Sequence, residues 1–165
     1  MHSDIEIRPV TERDLPAIAA LHARAFGPGR FARTAYRIRE GTTDVTPNSR
    51  VAIFENALVA ALHATPVRIG GTPGALLIGP VAVEPAEKGK KYGQRLIARA
   101  LEDADADGFR IAILVGDEPY YGRFGFTPIQ PGRIWMPGPV DPRRILAREL
   151  AEGALAEFTG LVAAA

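Results

Sequence analysis

Residues 75–115 read ALLIGPVAVEPAEKGKKYGQRLIARALEDADADGFRIAILV, and the fold turns on how the period changes within this stretch. Ala75 to Val83 is almost wholly apolar, which marks a strand covered on both faces. From Lys91 the period becomes helical. Tyr92, Leu96, Ile97, Ala100, Leu101 and Ala104 fall on one face, with Arg95, Arg99, Glu102 and Asp103 mostly on the other. Gly108 supplies the stop. Ile111 to Val115 is again short and wholly apolar. Strand 75–83, helix 91–107 and strand 110–115 therefore form a βαβ unit, whose strands run parallel with a right-handed crossover.

Upstream, residues 4–10 alternate, with Ile5, Ile7 and Pro9 on one face and Glu6 and Arg8 on the other, as in a half-buried strand. Thr11 followed by Asp14 reads as a capping box. Leu15, Ile18, His22, Ala25 and Phe26 then mark a helix over 12–26 that stops at Gly27-Pro28-Gly29. Phe31, Ala35 and Ile38 mark a second helix over 30–40, and Thr42 to Arg50 is a polar loop. Val51 to Phe54 and Leu58 to Val67 are strands joined by a turn at Glu55-Asn56. Gly70 to Gly74 is a turn before the run at 75–83. Downstream, Pro128 to Pro142 is rich in Pro and Gly. In residues 145–165 the Ala, Glu and Leu content favours helix, while the alternation at 145–150 permits a strand.

The chain has 165 residues, 47% apolar and 24% charged, which fits one globular domain, 1–165, with an ordinary core. Twenty Lys and Arg against nineteen Asp and Glu leave a net charge of +1, which gives no electrostatic case for nucleic acid or a membrane surface. The absence of Cys excludes disulfides, thiolate catalysis and thiolate-ligated metals. Neither Ser3 nor Ser49 sits in a G-x-S-x-G elbow. His2, His22 and His63 make no paired ligand motif, so no metal is expected. No run reaches the length of a membrane span, and the acidic start MHSDIEIRPV is not a signal peptide. The cytoplasm is the expected location.

The loop Glu84-Pro85-Ala86-Glu87-Lys88-Gly89-Lys90-Lys91-Tyr92-Gly93-Gln94 leads from a strand into a helix. Its glycines and the first turn of the helix present free N–H groups at the positive end of the helix dipole, which suits a phosphate. Lys88, Lys90 and Lys91 add cationic charge there. The loop is neither a P-loop nor a G-x-G-x-x-G fingerprint. A solvated basic turn would read the same by residue type alone.

Three segments together resemble the GNAT superfamily of N-acetyltransferases, and within it the small bacterial predicted acetyltransferases. They are Leu77 to Pro85, the loop and helix through Leu101, and Gly116-Asp117-Glu118-Pro119-Tyr120-Tyr121-Gly122-Arg123-Phe124-Gly125-Phe126. The resemblance runs from about residue 4 to 130. It implies a mixed α/β acyl-CoA N-acyltransferase fold of about six or seven strands, mostly antiparallel, with a splayed parallel pair at 75–83 and 110–115. It also implies a helix at 118–124, a strand at 126–130 beside 110–115, and a strand rather than a helix at 145–150.

The family's phosphate loop, Q/R-x-x-G-x-G/A, falls on Lys88-Gly89-Lys90-Lys91-Tyr92-Gly93. The last glycine is kept and the middle one is Lys91. The resemblance implies acetyl-CoA as cosubstrate, held by Lys88, Gly89, Lys90, Lys91, Tyr92, Gly93 and Gln94. Val81 and Val83 would pair with the pantetheine arm, and the Ala82 N–H would meet the oxyanion. Tyr121 would be the general acid to the leaving thiolate, while Tyr120 serves packing. Glu84, His63 and Asp117 are candidates for the general base. Helices 12–26 and 30–40, with loops 27–50 and 131–143, would flank a small-molecule or peptide amine, and a homodimer is compatible with the family. The competing reading is a non-catalytic acyl-CoA-binding or regulatory module with a degenerate phosphate loop, which Lys91 favours.

Overall fold

The computed structural model describes residues 4–27 and 45–165. The helix expected at 30–40, and residues 42–44 of the polar loop, lie outside them. Strand β1 (Glu6–Pro9) leads through one turn of 3-10 helix into α1 (Leu15–Phe26), which ends at Gly27 with φ 72°. Strands β2 (Arg50–Phe54) and β3 (Ala57–Ile69) are joined by Glu55 and Asn56, both at positive φ. Strand β4 (Thr72–Val83) follows the two-residue turn Gly70-Gly71, so the expected five-residue turn is shorter and β4 starts earlier. Helix α2 (Tyr92–Ala106) and strand β5 (Ile111–Val115) complete the βαβ unit. A short α3 (Glu118–Tyr121) is followed by β6 (Thr127–Pro128), β7 (Ile134–Trp135), β8 (Ile145–Glu149) and β9 (Gly160–Ala164). No helix among the described residues is long and apolar enough to cross a membrane.

The main sheet runs β1-β2-β3-β4-β5-β8-β6, and β9 pairs with both β3 and β7. The fold is thus the expected mixed α/β arrangement, antiparallel at first and parallel at β4–β5. Two expectations are corrected, and one left open is decided in favour of the strand that the resemblance implies. The strand after Phe126 pairs with β8, not with β5, because β8 takes the whole length of β5 from Ile111 to Val115. Residues 145–149 form a strand despite their helical composition, since tertiary pairing with β5 outweighs propensity. Among the described residues the sheet has nine strands rather than six or seven, because the Pro/Gly-rich segment and the tail contribute β7 and β9.

Helix α2 covers one face of the sheet. Its Tyr92, Leu96, Ile97, Ala100, Leu101 and Ala104 bury against Leu62, Ala64, Leu76 and Ile78. Helix α1 covers part of the other face through Leu21, against Val51, Ala61 and Ala82. A second apolar cluster on that face joins Val67, Ile69, Ala75 and Leu77 to Ile134, Met136 and Phe158.

Parallel pairing of β4 with β5 covers only Ala75–Leu77 against Ile111–Ile113. The reason lies on β4. Ile78 pairs with Ala64 and Val81 with Leu62, so Gly79 and Pro80 together oppose His63 as a β-bulge. Gly79 sits at φ 128°, a conformation only glycine adopts at no cost. The extra residue bends β4, and beyond it the two parallel strands separate.

Candidate functional site

Among the described residues, the separation leaves one edge of β4 unpaired from Ile78 to Val83. Which N–H groups face it follows from the ladder. Ala64 N–H donates to Ser49 Oγ on the β2 side of β3, and Glu84 N–H donates to Val59 O across β3–β4 at 2.8 Å. Backbone groups alternate in direction along a strand. The Ala61↔Ala82 pair therefore turns the Ala82 N–H into the β3 ladder, while those of Val81 and Val83 face the open edge. Val81 and Val83 are the two positions where the resemblance places the pantetheine arm, while the Ala82 N–H, expected to meet the oxyanion, faces away from that edge. The side chains of Val81 and Val83 pack on the α2 side.

The loop after β4 arrives at the same edge. Gly89 has φ 91°, and Lys91, the N-cap of α2, has φ 65° and ψ 25°. At the middle loop position, where the resemblance expects a glycine, a lysine adopts the left-handed conformation that glycine takes freely. The first helical bond runs from Arg95 N–H to Lys91 O at 3.1 Å. Among the described residues, the N–H groups of Gly89, Lys91, Tyr92, Gly93 and Gln94 meet no acceptor. Gly93 lets α2 approach β4, since a Cβ there would lie 3.1 Å from Val83 Cγ2. Lys90 is held by Glu87 at 2.6 Å, which raises its pKa, and lies over Phe54 at 5.8 Å. Lys88 and Lys91 are exposed and have no ion-pair partner among the described residues. Among the described residues, N–H groups without an acceptor, a helix N-terminus, two cations without an ion-pair partner and an unpaired strand edge fit an extended ligand with a phosphate end.

Across the opening stands α3. The Tyr121 ring lies over Gly116, where a Cβ would come within 2.3 Å of Tyr121 Cε2. It meets Tyr120 edge-on at 4.8 Å and Phe126 at 6.2 Å. The Tyr120 hydroxyl reaches the first turn of α2, 4.0 Å from where a Gly93 Cβ would be. Burial pushes its pKa up, partly offset by Arg123, whose guanidinium lies 4.7 Å from the ring centre. Tyr120 thus closes the cleft from the β5 side, beyond the packing role expected for it.

The candidate bases separate clearly. Glu84 Oε2 accepts from Arg24 Nε at 2.9 Å and from Nη2 at 2.7 Å, so the carboxylate ties α1 to the end of β4. Asp117 is exposed and paired with Arg144 at 3.3 Å. His63 is buried on β3, opposite the bulge. Arg24, Gly116 and the Thr46–Ser49 hydroxyls beside His63 were not legible as site residues, because each acts through a contact distant in sequence. No cluster of metal-binding side chains occurs among the described residues.

A family model described as an acetyltransferase (GNAT) domain matches residues 6–129, and the chain belongs to the GNAT acetyltransferase family. It is similar to the uncharacterized N-acetyltransferase YhbS of Escherichia coli (strain K12), with 25% identity over 150 residues, covering 90% of this chain and 89% of that protein. The crystal structure of Escherichia coli YhbS in complex with CoA superposes with a TM-score of 0.83 and 25% identity, over 100% of this chain and 92% of that one. A GNAT family acetyltransferase from Brucella melitensis in complex with acetyl-CoA gives a TM-score of 0.66 and 27% identity, over 93% of this chain and 99% of that one.

Proposed function

We propose that residues 1–165 act as one acetyl-CoA-dependent N-acetyltransferase domain, moving an acetyl group to the amine of a small molecule or peptide. The observation that carries this reading is that the N–H groups of Gly89 and of 91–94, which meet no acceptor among the described residues, adjoin the edge of β4 at Val81 and Val83. The same shape is consistent with the CoA and acetyl-CoA complexes of the two similar structures. Acetyl-CoA supplies an activated thioester. The chain's own part is to hold and orient it. The N–H groups of Gly89 and of 91–94 bind the pyrophosphate, Lys88 and Lys91 add charge, and Val81 and Val83 pair with the arm. Tyr121 donates a proton to the departing thiolate. A phenol with a pKa near 10 and a thiol near 8.5 are well enough matched for that transfer.

Lys91 supports a working phosphate loop over a degenerate one, because it takes a left-handed conformation that glycine adopts freely. Acetyl-CoA titration of wild type and Gly93→Asp tests the cradle. The variant places a carboxylate beside the phosphates and against Val83. It should weaken binding at least tenfold, while Arg99→Gln, on an exposed turn of α2, changes little. Thiol release across a panel of amines then tests the transfer. Saturable binding with no thiol release from any amine would favour the non-catalytic module.

A further inference from the structure

Tyr120 and Arg123 form a wall beside the start of α2, and their polar ends are left unspent by the rest of the chain. The Tyr120 hydroxyl reaches the first turn of α2, 4.0 Å from where a Gly93 Cβ would stand. Among the described residues it meets no hydrogen-bond partner. Burial raises its pKa, so the phenol keeps its proton and stands as a donor. The Arg123 guanidinium lies 4.7 Å from the centre of the same ring, and its Nε donates to Tyr120 O at 2.9 Å. A single phenol ring thus spans from the guanidinium to the N-terminus of α2.

The turn that carries Arg123 is pinned. Gly125, at φ 86°, donates its N–H to Gly122 O at 3.0 Å, and Arg148 Nη1 donates to Phe124 O at 3.0 Å. The bond from Nε uses one of the five guanidinium N–H donors and leaves those on Nη1 and Nη2 unspent. Arg123 is exposed and has no carboxylate partner among the described residues. Other exposed arginines on this side are answered, Arg143 by Asp141 and Arg144 by Asp117. A guanidinium stacked and tethered in this way, with its forked donors free, has lost its side-chain freedom before any ligand arrives. It is pre-organised for a phosphate.

An acyl-CoA carries its charge in two places, the pyrophosphate and a phosphate monoester on the ribose. In the acetyltransferase reading above, the N–H groups of Gly89 and of 91–94 meet the pyrophosphate together with Lys88 and Lys91. Two ammonium groups balance its two charges, and the monoester then needs a cation of its own. We propose that Arg123 binds the ribose monoester, with Tyr120 donating to the pyrophosphate beside it, so that the cleft selects CoA thioesters over thioesters carried on phosphopantetheine alone. This rests on the acetyltransferase reading and adds to it the class of donor. The guanidinium fork matches two oxygens of a monoester, and such charge-assisted pairs are about twice as strong as neutral ones. A phosphopantetheine thioester, as borne by a carrier protein, has no ribose phosphate and gives Arg123 nothing to hold.

The test is calorimetric binding with two probes, acetyl-CoA and acetyl-dephospho-CoA, which lacks only the ribose monoester. No acceptor amine is needed. Wild type should bind acetyl-CoA about 10–100-fold more tightly than the second probe, and the preference should shrink as salt is raised. Arg123→Gln should abolish the preference by weakening acetyl-CoA alone. Arg123→Lys should restore only part of it, because an ammonium does not fork. Both variants should melt near wild type, since the side chain is exposed. Tyr120→Phe should weaken both probes alike, because both carry the pyrophosphate. Equal wild-type affinity for the two probes would overturn the proposal and leave the acetyltransferase reading intact. Equal losses for both probes in Arg123→Gln would overturn it too and move the guanidinium to the pyrophosphate. A wild type that binds neither probe would fail both readings.

Discussion

Lys91 shows how one residue can depart from a motif and keep its geometry. A left-handed L-residue costs about 1–2 kcal/mol, and a glycine there would instead add roughly 0.5–1 kcal/mol of chain entropy to the unfolded state. The two nearly cancel. Lys91→Gly should therefore shift stability by less than about 1 kcal/mol, while β-branched Lys91→Val should lose more, as read by urea denaturation. The exposed ammonium still matters to the ligand. Lys91→Gly should weaken acetyl-CoA binding and flatten its salt dependence, and an unchanged salt profile would make the side chain a bystander. At Gly116 the argument is steric, since a Cβ would stand 2.3 Å from the Tyr121 ring. Gly116→Ala should cost about 1–3 kcal/mol and displace the phenol, so turnover falls along with stability. Tyr121→Phe should lose turnover by about 10²–10⁴-fold with stability and acetyl-CoA affinity nearly unchanged. The glycines of the loop were legible because they sit beside a helix start. Gly116 was not, because the ring it seats lies five residues on and nothing in the local pattern announces the contact.

At the junction of β1 and α1, the Asp14 carboxylate accepts from Arg8 through two bonds of 2.8 Å and from the Thr11 N–H at 2.8 Å. The Arg8 guanidinium is the largest cause, and the Asp14 pKa is lowered from 3.8 to about 2. Because the folded pKa lies below the unfolded one, the stabilisation is full above about pH 4 and is lost as pH falls through 2. At 1.36 kcal/mol per pKa unit it amounts to about 2 kcal/mol. Asp14→Asn should therefore melt lower than wild type at pH 7, with the gap closing between pH 4 and pH 2 in a series of thermal scans. Thr11 and Asp14 announced this element plainly, since a capping box is local in sequence. The β4 bulge was not readable, because Gly79-Pro80 within an apolar run becomes a bulge only against the partner register on β3. The same holds for β8, where composition argued for helix and the pairing with β5 decided for strand.

On the scale of the molecule, the sheet is two wings joined by a seam of three parallel rungs, with β1 to β4 on one side and β5, β8 and β6 on the other. The order of the central strands was legible from the βαβ unit. The neighbour of β5 was not, because the chain passes through some 30 residues of irregular segments before β8 returns to claim that edge. Deleting Pro80 should remove the bulge and leave every flanking pair in register, since Val81 keeps Leu62 and Ile78 keeps Ala64. The variant should stay folded by melting and circular dichroism and lose acetyl-CoA binding, and full binding would show that the bend lies elsewhere. The bulge has a consequence for solubility as well. A bare strand edge is a template that any other extended chain can join, and such edges seed aggregation. Here the edge of β4 is bent away from the line of the sheet and overhung by α2 on one side and Tyr120 on the other. An extended ligand a single strand wide can slide in, whereas the stiff edge of another protein's sheet meets the walls first. The bend that opens the cleft thus also guards this edge against strand-by-strand polymerisation.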